Sequence, residues 1–192
     1  MSKPIQKRTL KTRARLIEVA QDLVKSDGYE ALRVEDVVSG AGVAKGTFFA
    51  HFKDKDALME RLIGAELAAR LDRAEAGAPP DSVETLIAAL RPYHRFMTSE
   101  RYVFDLILRY SGAAAIAEIG PIAQCFERYF TLVLGWAGAG AYRRDISAEL
   151  LAEGVQAFSV QAMSLQFCAL HRAQDFEERL KLYLDAWMTP AA

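Results

Sequence analysis

Cysteine and long apolar runs are scarce in this chain. Only two of its 192 residues are cysteines, and Cys125 and Cys168 lie far apart, a pattern typical of reduced core thiols rather than of a disulfide scaffold. The longest uncharged stretch, residues 154–170, is interrupted by serines and glutamines and falls short of the roughly 20 apolar residues that a membrane span needs. No apolar stretch follows the early basic residues, as a secretory signal would require. We therefore expect a cytoplasmic protein that does not cross a membrane.

Motifs for covalent chemistry and for cofactor binding are missing as well. The sequence contains no nucleophile elbow, no phosphate-binding loop and no dinucleotide fingerprint. Cys168 and His171 are spaced to share one face of a helix, but no CxxC or HxxxH pattern supplies further zinc ligands. We therefore expect no enzymatic activity, no metal site and no cofactor.

Apolar residues instead recur at helical spacing along the whole chain, and neither period-two alternation nor a β-hairpin signal is present. Turn and breaker residues divide this pattern, notably Gly28, Gly42 and the segment 77–80, because proline cannot continue a helix. The sequence predicts an all-α fold of about nine helices: three in a head, one linking helix and five in a body. We place the boundary along the fourth helix, so that residues 1–56 form the head and residues 57–192 the body.

Cap residues indicate where several of these helices begin. Asp54 is expected to cap the fourth helix. The spacings Asp81-x-x-Glu84 and Asp175-x-x-Glu178 match the capping box and predict the starts of the fifth and last helices. We expect a loop over residues 135–141 and an eighth helix over residues 147–171.

Residues 33–58 carry the strongest functional signal. They predict two short helices joined at Gly42, since a glycine there supplies the φ > 0 conformation at which two helices meet without a Cβ clash. A bent pair of this kind is the helix-turn-helix, whose second helix enters a DNA major groove. The apolar residues spaced to bury the inner faces of the pair are Val34, Val37, Val38, Val43, Phe48 and Phe52.

A net charge of −1 does not by itself favour nucleic acid binding, yet basic residues concentrate in the head. Residues 1–56 contain eleven Lys or Arg against eight Asp or Glu, whereas the rest of the chain contains thirteen against seventeen. Because salt screens charges over about 10 Å, local rather than global charge governs phosphate binding. For Lys3 and Lys7, a solvated and frayed N-terminus is the alternative.

Residues 41–58, AGVAKGTFFAHFKDKDAL, resemble the recognition segment of the TetR family of bacterial transcriptional regulators. Gly28-Tyr29 and Glu35-Asp36-Val37 fit the same pattern, so the resemblance covers roughly residues 10–60. Two residues depart from it: Val38 stands where the family usually has alanine, and Phe49 stands where a tyrosine is common. The resemblance implies a DNA-binding head, a small-molecule cavity in the body and dimerisation through the last helices.

The first turn of the expected recognition helix contains Lys45, Gly46 and Thr47, in the part that approaches base edges. Lys45 can donate to guanine, Thr47 can contact thymine, and Gly46 lets the backbone approach the groove floor. By resemblance, further residues border the DNA backbone, although simple helix capping is the alternative for His51. The predicted DNA-binding residues are Arg33, Ala44, Lys45, Gly46, Thr47, Phe49, His51 and Lys55.

The body is rich in Phe, Tyr and Met. The resemblance implies that a cavity among its helices binds a small molecule, and such cavities are mostly apolar with a few polar groups. For each aromatic residue taken singly, ordinary core packing is the alternative. The candidate effector-binding residues are His94, Met97, Phe104, Tyr110, Phe126, Phe130, Gln161 and Phe167.

The predicted eighth helix is apolar over too wide an arc for the surface of a monomer. A stripe of small, weakly polar residues runs beside its stripe of large ones. Small residues allow a second helix to approach closely, so this stripe favours a symmetric dimer interface over a helix buried within a monomer. The predicted interface residues are Gly154, Ala157, Gln161, Ser164 and Cys168.

Together these features predict a homodimeric, ligand-responsive repressor. Its partners would be double-stranded DNA with an inverted-repeat operator and a small apolar or aromatic effector. An activator or an effector-independent regulator is the nearest alternative. The alternative of a different class is a helical small-molecule-binding protein with a vestigial head.

Overall fold

The computed structural model describes residues 3–111, 119–168 and 174–189. Within these ranges the chain forms nine helices and no strand, which confirms the predicted all-α class. The helices are α1 Lys3–Asp27, α2 Val34–Ala41, α3 Lys45–Phe49, α4 Lys55–Ala76, α5 Val83–Met97, α6 Arg101–Tyr110, α7 Pro121–Ala139, α8 Ala148–Gln166 and α9 Phe176–Met188.

Helix α4 joins the two parts of the molecule. The Asp54 carboxylate accepts a hydrogen bond from the Ala57 amide at 2.8 Å and so caps the helix at its predicted start. The same helix contacts α1 in the head and α5, α6 and α7 in the body. Its buried residues belong to one apolar core that extends from Leu16 to Met188. A movement of α4 would therefore change packing contacts in both the head and the body.

In the body, α8 packs between α7 and α9, and α5 packs on α4 and α9. A close approach brings α7 against α4, since a Cβ on Gly64 would lie 2.5 Å from the Pro121 Cβ. The Arg128 guanidinium fastens the same two helices by ion pairs to Asp72 at 2.6 Å and Glu75 at 2.5 Å. None of the helices in the described ranges is long and apolar enough to cross a membrane.

Two of the predicted caps were wrong in detail. Helix α5 is capped by Ser82 and Thr85 instead of Asp81 and Glu84: the Ser82 hydroxyl accepts from the Thr85 amide at 3.2 Å, and the Ser82 amide donates to the Thr85 hydroxyl at 3.0 Å. At α9, Asp175 is the cap, but it accepts from the amide of Glu177 rather than that of Glu178. Ser and Asp are similarly strong N-cap residues, so sequence alone does not decide between neighbours of these types.

Two helix ends also differ from the prediction. Helix α7 continues through Gly135 to Ala139, because Trp136 and Ala137 are buried in the core and offset the weak helix propensity of glycine. Helix α8 ends at Gln166 instead of extending to His171, which lies outside the described residues.

Candidate DNA interface and effector cavity

The turn between α2 and α3 has the predicted geometry. Gly42 adopts the left-handed conformation, with φ 66° and ψ 36°. Its amide donates to the Ser39 carbonyl at 3.1 Å, and the Val43 amide donates to the Val38 carbonyl at 3.0 Å. These bonds satisfy carbonyls at the end of α2 and allow α3 to leave in a new direction.

Helix α1 packs against the inner face of the α2–α3 pair. Phe48 and Phe52 are buried, and the Arg13 guanidinium lies 5.1 Å from the centre of the Phe52 ring. A Cβ on Gly40 would lie 2.7 Å from a methyl group of Val19, so α2 rests directly on α1. The inner face of the pair is fixed, which leaves its outer face to present functional groups.

The first turn of α3 is largely exposed. Ala44, Lys45 and Gly46 are exposed, and Thr47 is half-buried. A Cβ on Gly46 would meet no atom within 4 Å, and Gly46 is not among the positive-φ glycines. The fold therefore does not require glycine at this position, although glycine costs a helix about 1 kcal/mol relative to alanine.

Lys45 has a partner within the head. Its ammonium donates to Glu35 at 2.5 Å, and this bond holds the pKa of the exposed Glu35 carboxyl below its ordinary value. Both side chains are more than half exposed, so the pair can exchange its partners for others. A base edge or a phosphate would have to displace Glu35 to reach Lys45.

The remaining predicted DNA contacts divide into two groups. Arg33 is exposed at the start of α2, Phe49 is 49% exposed beside Phe48, and His51 is half-buried after α3. Lys55 lies between head and body: its ammonium donates to the Glu30 carbonyl of the head at 3.1 Å and lies 4.8 Å from the centre of the Tyr102 ring of the body. Burial there lowers the pKa of Lys55.

A link between head and body had no signal in the sequence. The Glu100 carboxylate, at the start of α6, accepts hydrogen bonds from the amides of Tyr29 at 2.9 Å and Glu30 at 3.0 Å. Gly28, with φ 88°, brings this turn close, since a Cβ there would lie 3.1 Å from a Glu100 oxygen. Sequence separation of about 70 residues hides such a contact from any local pattern.

A second contact ties α6 to the start of α4. The Asp56 carboxylate accepts from the Tyr102 hydroxyl at 3.2 Å and pairs with Arg109 at 2.7 Å. Helix α6 is therefore anchored both to the turn after α1 and to the first turn of α4, the helix that enters the body.

A small cavity lies among α5, α7 and α8. Its free volume is about 10 Å³, close to the space that one water molecule needs. Most lining residues are buried, while Gln156 and Val160 are half-buried and mark the side nearest the surface. The cavity is lined by Tyr93, His94, Met97, Phe126, Tyr129, Gln156, Ser159, Val160 and Met163.

Polar groups form a cluster in this cavity. The Tyr129 hydroxyl lies 3.3 Å from His94 Nε2 and 3.3 Å from the Ser159 hydroxyl. Within the described part of the chain, the buried Tyr93 hydroxyl and His94 Nδ1 have no hydrogen-bond partner. Complete burial lowers the pKa of His94 to about 3, so its ring is neutral at ordinary pH.

Only part of the predicted effector set reaches this cavity. His94, Met97 and Phe126 line it, whereas Gln161 is exposed and cannot. Phe104 stacks on Phe167 at 5.3 Å, away from the cavity lining. Tyr110 lines a surface groove with Lys53 and Gln124, and the half-buried Phe130 packs against the core. The residues that sequence analysis missed are Tyr93, Tyr129, Gln156, Ser159, Val160 and Met163.

The small-residue stripe of α8 is partly explained within the chain. The space above Gly154 is filled by the Trp187 indole, whose N–H donates to the Leu151 carbonyl at 3.3 Å, so the first predicted interface residue packs on α9 instead. Ala157 and Gln161 are exposed, and Ser164 and Cys168 are half-buried. Leu150 and Leu182 add apolar surface, at 43% and 57% exposure.

A helix-turn-helix with an exposed first turn, carried on a helical body that contains a cavity, is an arrangement typical of DNA-binding regulators. The family profile described as bacterial regulatory proteins, tetR family, matches residues 16–62, which include the helix-turn-helix. The proteins of this family are DNA-binding transcriptional regulators rather than enzymes.

Among curated proteins, the uncharacterized HTH-type transcriptional regulator YvdT of Bacillus subtilis strain 168 is 26% identical over 117 residues. This alignment covers 61% of the chain and 60% of YvdT. A second regulator from the same strain, YerO, is 32% identical over 75 residues, or 36% of the chain and 26% of YerO. The chain thus matches only part of the length of these relatives.

Solved structures share the fold at low sequence identity. Thermus thermophilus FadR, a TetR-family transcriptional repressor in complex with lauroyl-CoA, is 20% identical with a TM-score of 0.63, covering 94% of this chain and 97% of FadR. A regulator from Saccharomonospora viridis in complex with choline is 17% identical with a TM-score of 0.62, covering 94% and 99%.

Proposed function

We propose that the chain is a homodimeric transcriptional repressor that leaves its operator when a small effector binds in the body. The observation that carries this proposal is the first turn of α3, which presents Lys45 and Thr47 beside a glycine that the fold does not need. Because Gly46 has no Cβ, the backbone of α3 could approach the floor of a DNA groove more closely there.

The exposed face of α8 and α9 supports dimerisation. Ala157 and Gln161 lie on α8, and Leu182 adds an exposed apolar side chain on α9. A twofold pair of such faces would form a four-helix interface and set two recognition helices about 34–36 Å apart, which calls for an inverted-repeat operator.

The cavity supports an effector that is mainly apolar or aromatic. Its lining combines Tyr, Phe and Met side chains with few polar groups, as in other small-molecule sites. FadR, which shares the fold, was solved with lauroyl-CoA, whose lauroyl chain is apolar and whose coenzyme A part is charged, so it supports only the apolar part of the proposed effector. The anchors of α6 on the head offer a route by which changes in the body would reach α4 and the DNA-binding turn, with coupling of about 1–3 kcal/mol.

Binding to genomic fragments, followed by mapping of the bound sequence, tests the proposal. We expect a site with two inverted half-sites. Lys45→Ala should weaken binding to it by about 1–3 kcal/mol per subunit and relax preference at one position of each half-site. Lys25→Ala is the matched control, because Lys25 is also an exposed lysine with a carboxylate partner, Asp22, but lies in the last turn of α1. Equal affinities for both variants would contradict the proposed interface.

A further inference from the structure

The cavity of the body contains polar atoms that its surroundings leave unsatisfied. The Tyr93 hydroxyl and His94 Nδ1 are buried and lack hydrogen-bond partners in the described part of the chain. Both residues line the cavity, beside Tyr129 and Ser159. An unpaired buried polar atom destabilises the folded state, so such atoms in a native protein call for an explanation, such as a water or a ligand.

The hydrogen-bonding character of the cluster follows from the neutral state of His94. If the Tyr129 hydroxyl donates to Nε2, then Nδ1 carries a proton and is an unused donor; if it accepts from Nε2, then Nδ1 is an unused acceptor. The Tyr93 hydroxyl can play either role. A partner that both donates and accepts matches the cluster in each arrangement, and a hydroxyl group does so.

The charge of a suitable ligand is restricted just as clearly. Among the described residues that line the cavity, none is an Asp, Glu, Lys or Arg, and His94 is neutral. A carboxylate, phosphate or ammonium group would therefore be buried here without a counter-charge, which is strongly unfavourable.

Two flexible side chains form part of the cavity lining. Met97 and Met163 line it, and the unbranched thioether side chain adapts its shape more easily than other apolar side chains. Gln156 and Val160, which are half-buried, lie on the side where a ligand would enter. A ligand larger than the free volume of about 10 Å³ would therefore bind by displacing these side chains.

We infer that the effector is an uncharged, mainly apolar molecule whose hydroxyl group hydrogen-bonds with Tyr93 and His94 in this cavity. This inference rests on the proposed function, because it names the chemistry of the ligand that the body would sense. It predicts that the cavity distinguishes ligands by their charge and by the presence of one hydroxyl group, and not by their size alone.

Three probes of similar shape test it on the full-length protein at neutral pH: 4-butylphenol, butylbenzene and 4-butylbenzoate. Their affinities are measured by calorimetry with wild type, Tyr93→Phe and Ser159→Ala. We expect the neutral phenol to bind wild type about tenfold more tightly than butylbenzene, as one good hydrogen bond allows, and the benzoate anion to bind more weakly than either. Tyr93→Phe should remove most of the advantage of the phenol and leave the affinity for butylbenzene unchanged.

Tyr183→Phe is the matched control, since Tyr183 packs on Phe158 outside the cavity lining, and it should behave as wild type. Equal binding of phenol and butylbenzene, preference for the anion, or no binding of any probe would overturn the inference. Binding of the same samples to genomic DNA is measured in parallel. If the probes do not bind as expected but DNA binding is intact, the proposed DNA-binding function is retained and only the proposed effector chemistry is wrong.

Discussion

The head and the body present their functional residues in opposite ways. In the head, Lys45, Gly46 and Thr47 are consecutive, lie at the surface and are positioned by a single turn at Gly42. In the body, the cavity residues come from three helices, and most of them are buried. A surface that contacts DNA needs a rigid local support, whereas a ligand cavity depends on how distant segments pack. The two regions should therefore respond differently to the same kinds of change.

The largest effect should follow from disrupting the proposed dimer, because each head would then bind DNA alone. Ala157 is exposed on α8, so Ala157→Arg leaves the fold of one subunit intact but buries an unpaired guanidinium in the proposed dimer. We expect a folded monomer by analytical ultracentrifugation and a loss of operator affinity of roughly 10²–10⁴-fold, because two linked heads bind more tightly than one. Thr131→Arg, on the exposed face of α7, is the control. A dimer that survives Ala157→Arg would place the interface elsewhere.

Acid should destabilise the body through His94. The unfolded chain binds a proton at this residue below pH ~6.5, whereas in the folded chain burial lowers its pKa to about 3. Between these values the unfolded state binds more protons, so the free energy of unfolding falls as the pH falls, by up to about 1.4 kcal/mol per pH unit. Urea unfolding of His94→Phe should show a flatter pH dependence. An unchanged slope would mean that His94 is solvated or charged in the folded protein.

A glycine-to-alanine exchange in each region sharpens the comparison. Gly46 and Gly135 are both helical, and among the described residues a Cβ on either would meet no atom within 4 Å beyond its own stretch of helix. Each exchange should stabilise the fold by about 0.4–1 kcal/mol. Only Gly46→Ala should weaken operator binding, by about 1–3 kcal/mol per subunit, because its methyl group would meet the groove floor. Thermal melts measure the change in stability, and fluorescence anisotropy measures the change in DNA binding. Unchanged DNA binding by Gly46→Ala would show that glycine is not needed at this position for DNA contact.

The smallest effect concerns the partner of Lys45. Glu35→Gln removes the carboxylate that holds the Lys45 ammonium in free protein. Because exposed ion pairs contribute little, we expect affinity for DNA of any sequence to rise by only about two- to fivefold at low salt, and less at high salt. Anisotropy with scrambled DNA over a salt series measures this change. A drop in affinity would show that Glu35 positions Lys45 rather than competing for it.

The sequence predicted the head and the order of helices well because their signals are local. Gly42 marks the turn, Asp54 marks the start of α4, and a contiguous segment carries the family resemblance. The body cavity was predicted only in part, since periodicity shows that Phe104 faces inward but not that it stacks on Phe167. The extension of α7 through Gly135 likewise depends on the burial of Trp136, which only tertiary packing reveals. The domain boundary near residue 56 stays a prediction, because α4 belongs to both parts.

The hydrogen bonds of the Glu100 carboxylate make two backbone amides of the head sensitive to movements of the body. This carboxylate accepts hydrogen bonds from the amides of Tyr29 and Glu30, which lie in the head, while Glu100 itself belongs to the segment that starts α6. Solvent exchange of these two amide protons therefore measures how often α6 separates from the turn after α1. The Gly42 amide, whose acceptor Ser39 lies within the head, supplies the internal reference. Movement of the body is thus recorded in deuterium uptake at two positions of the DNA-binding head, without any label or any DNA.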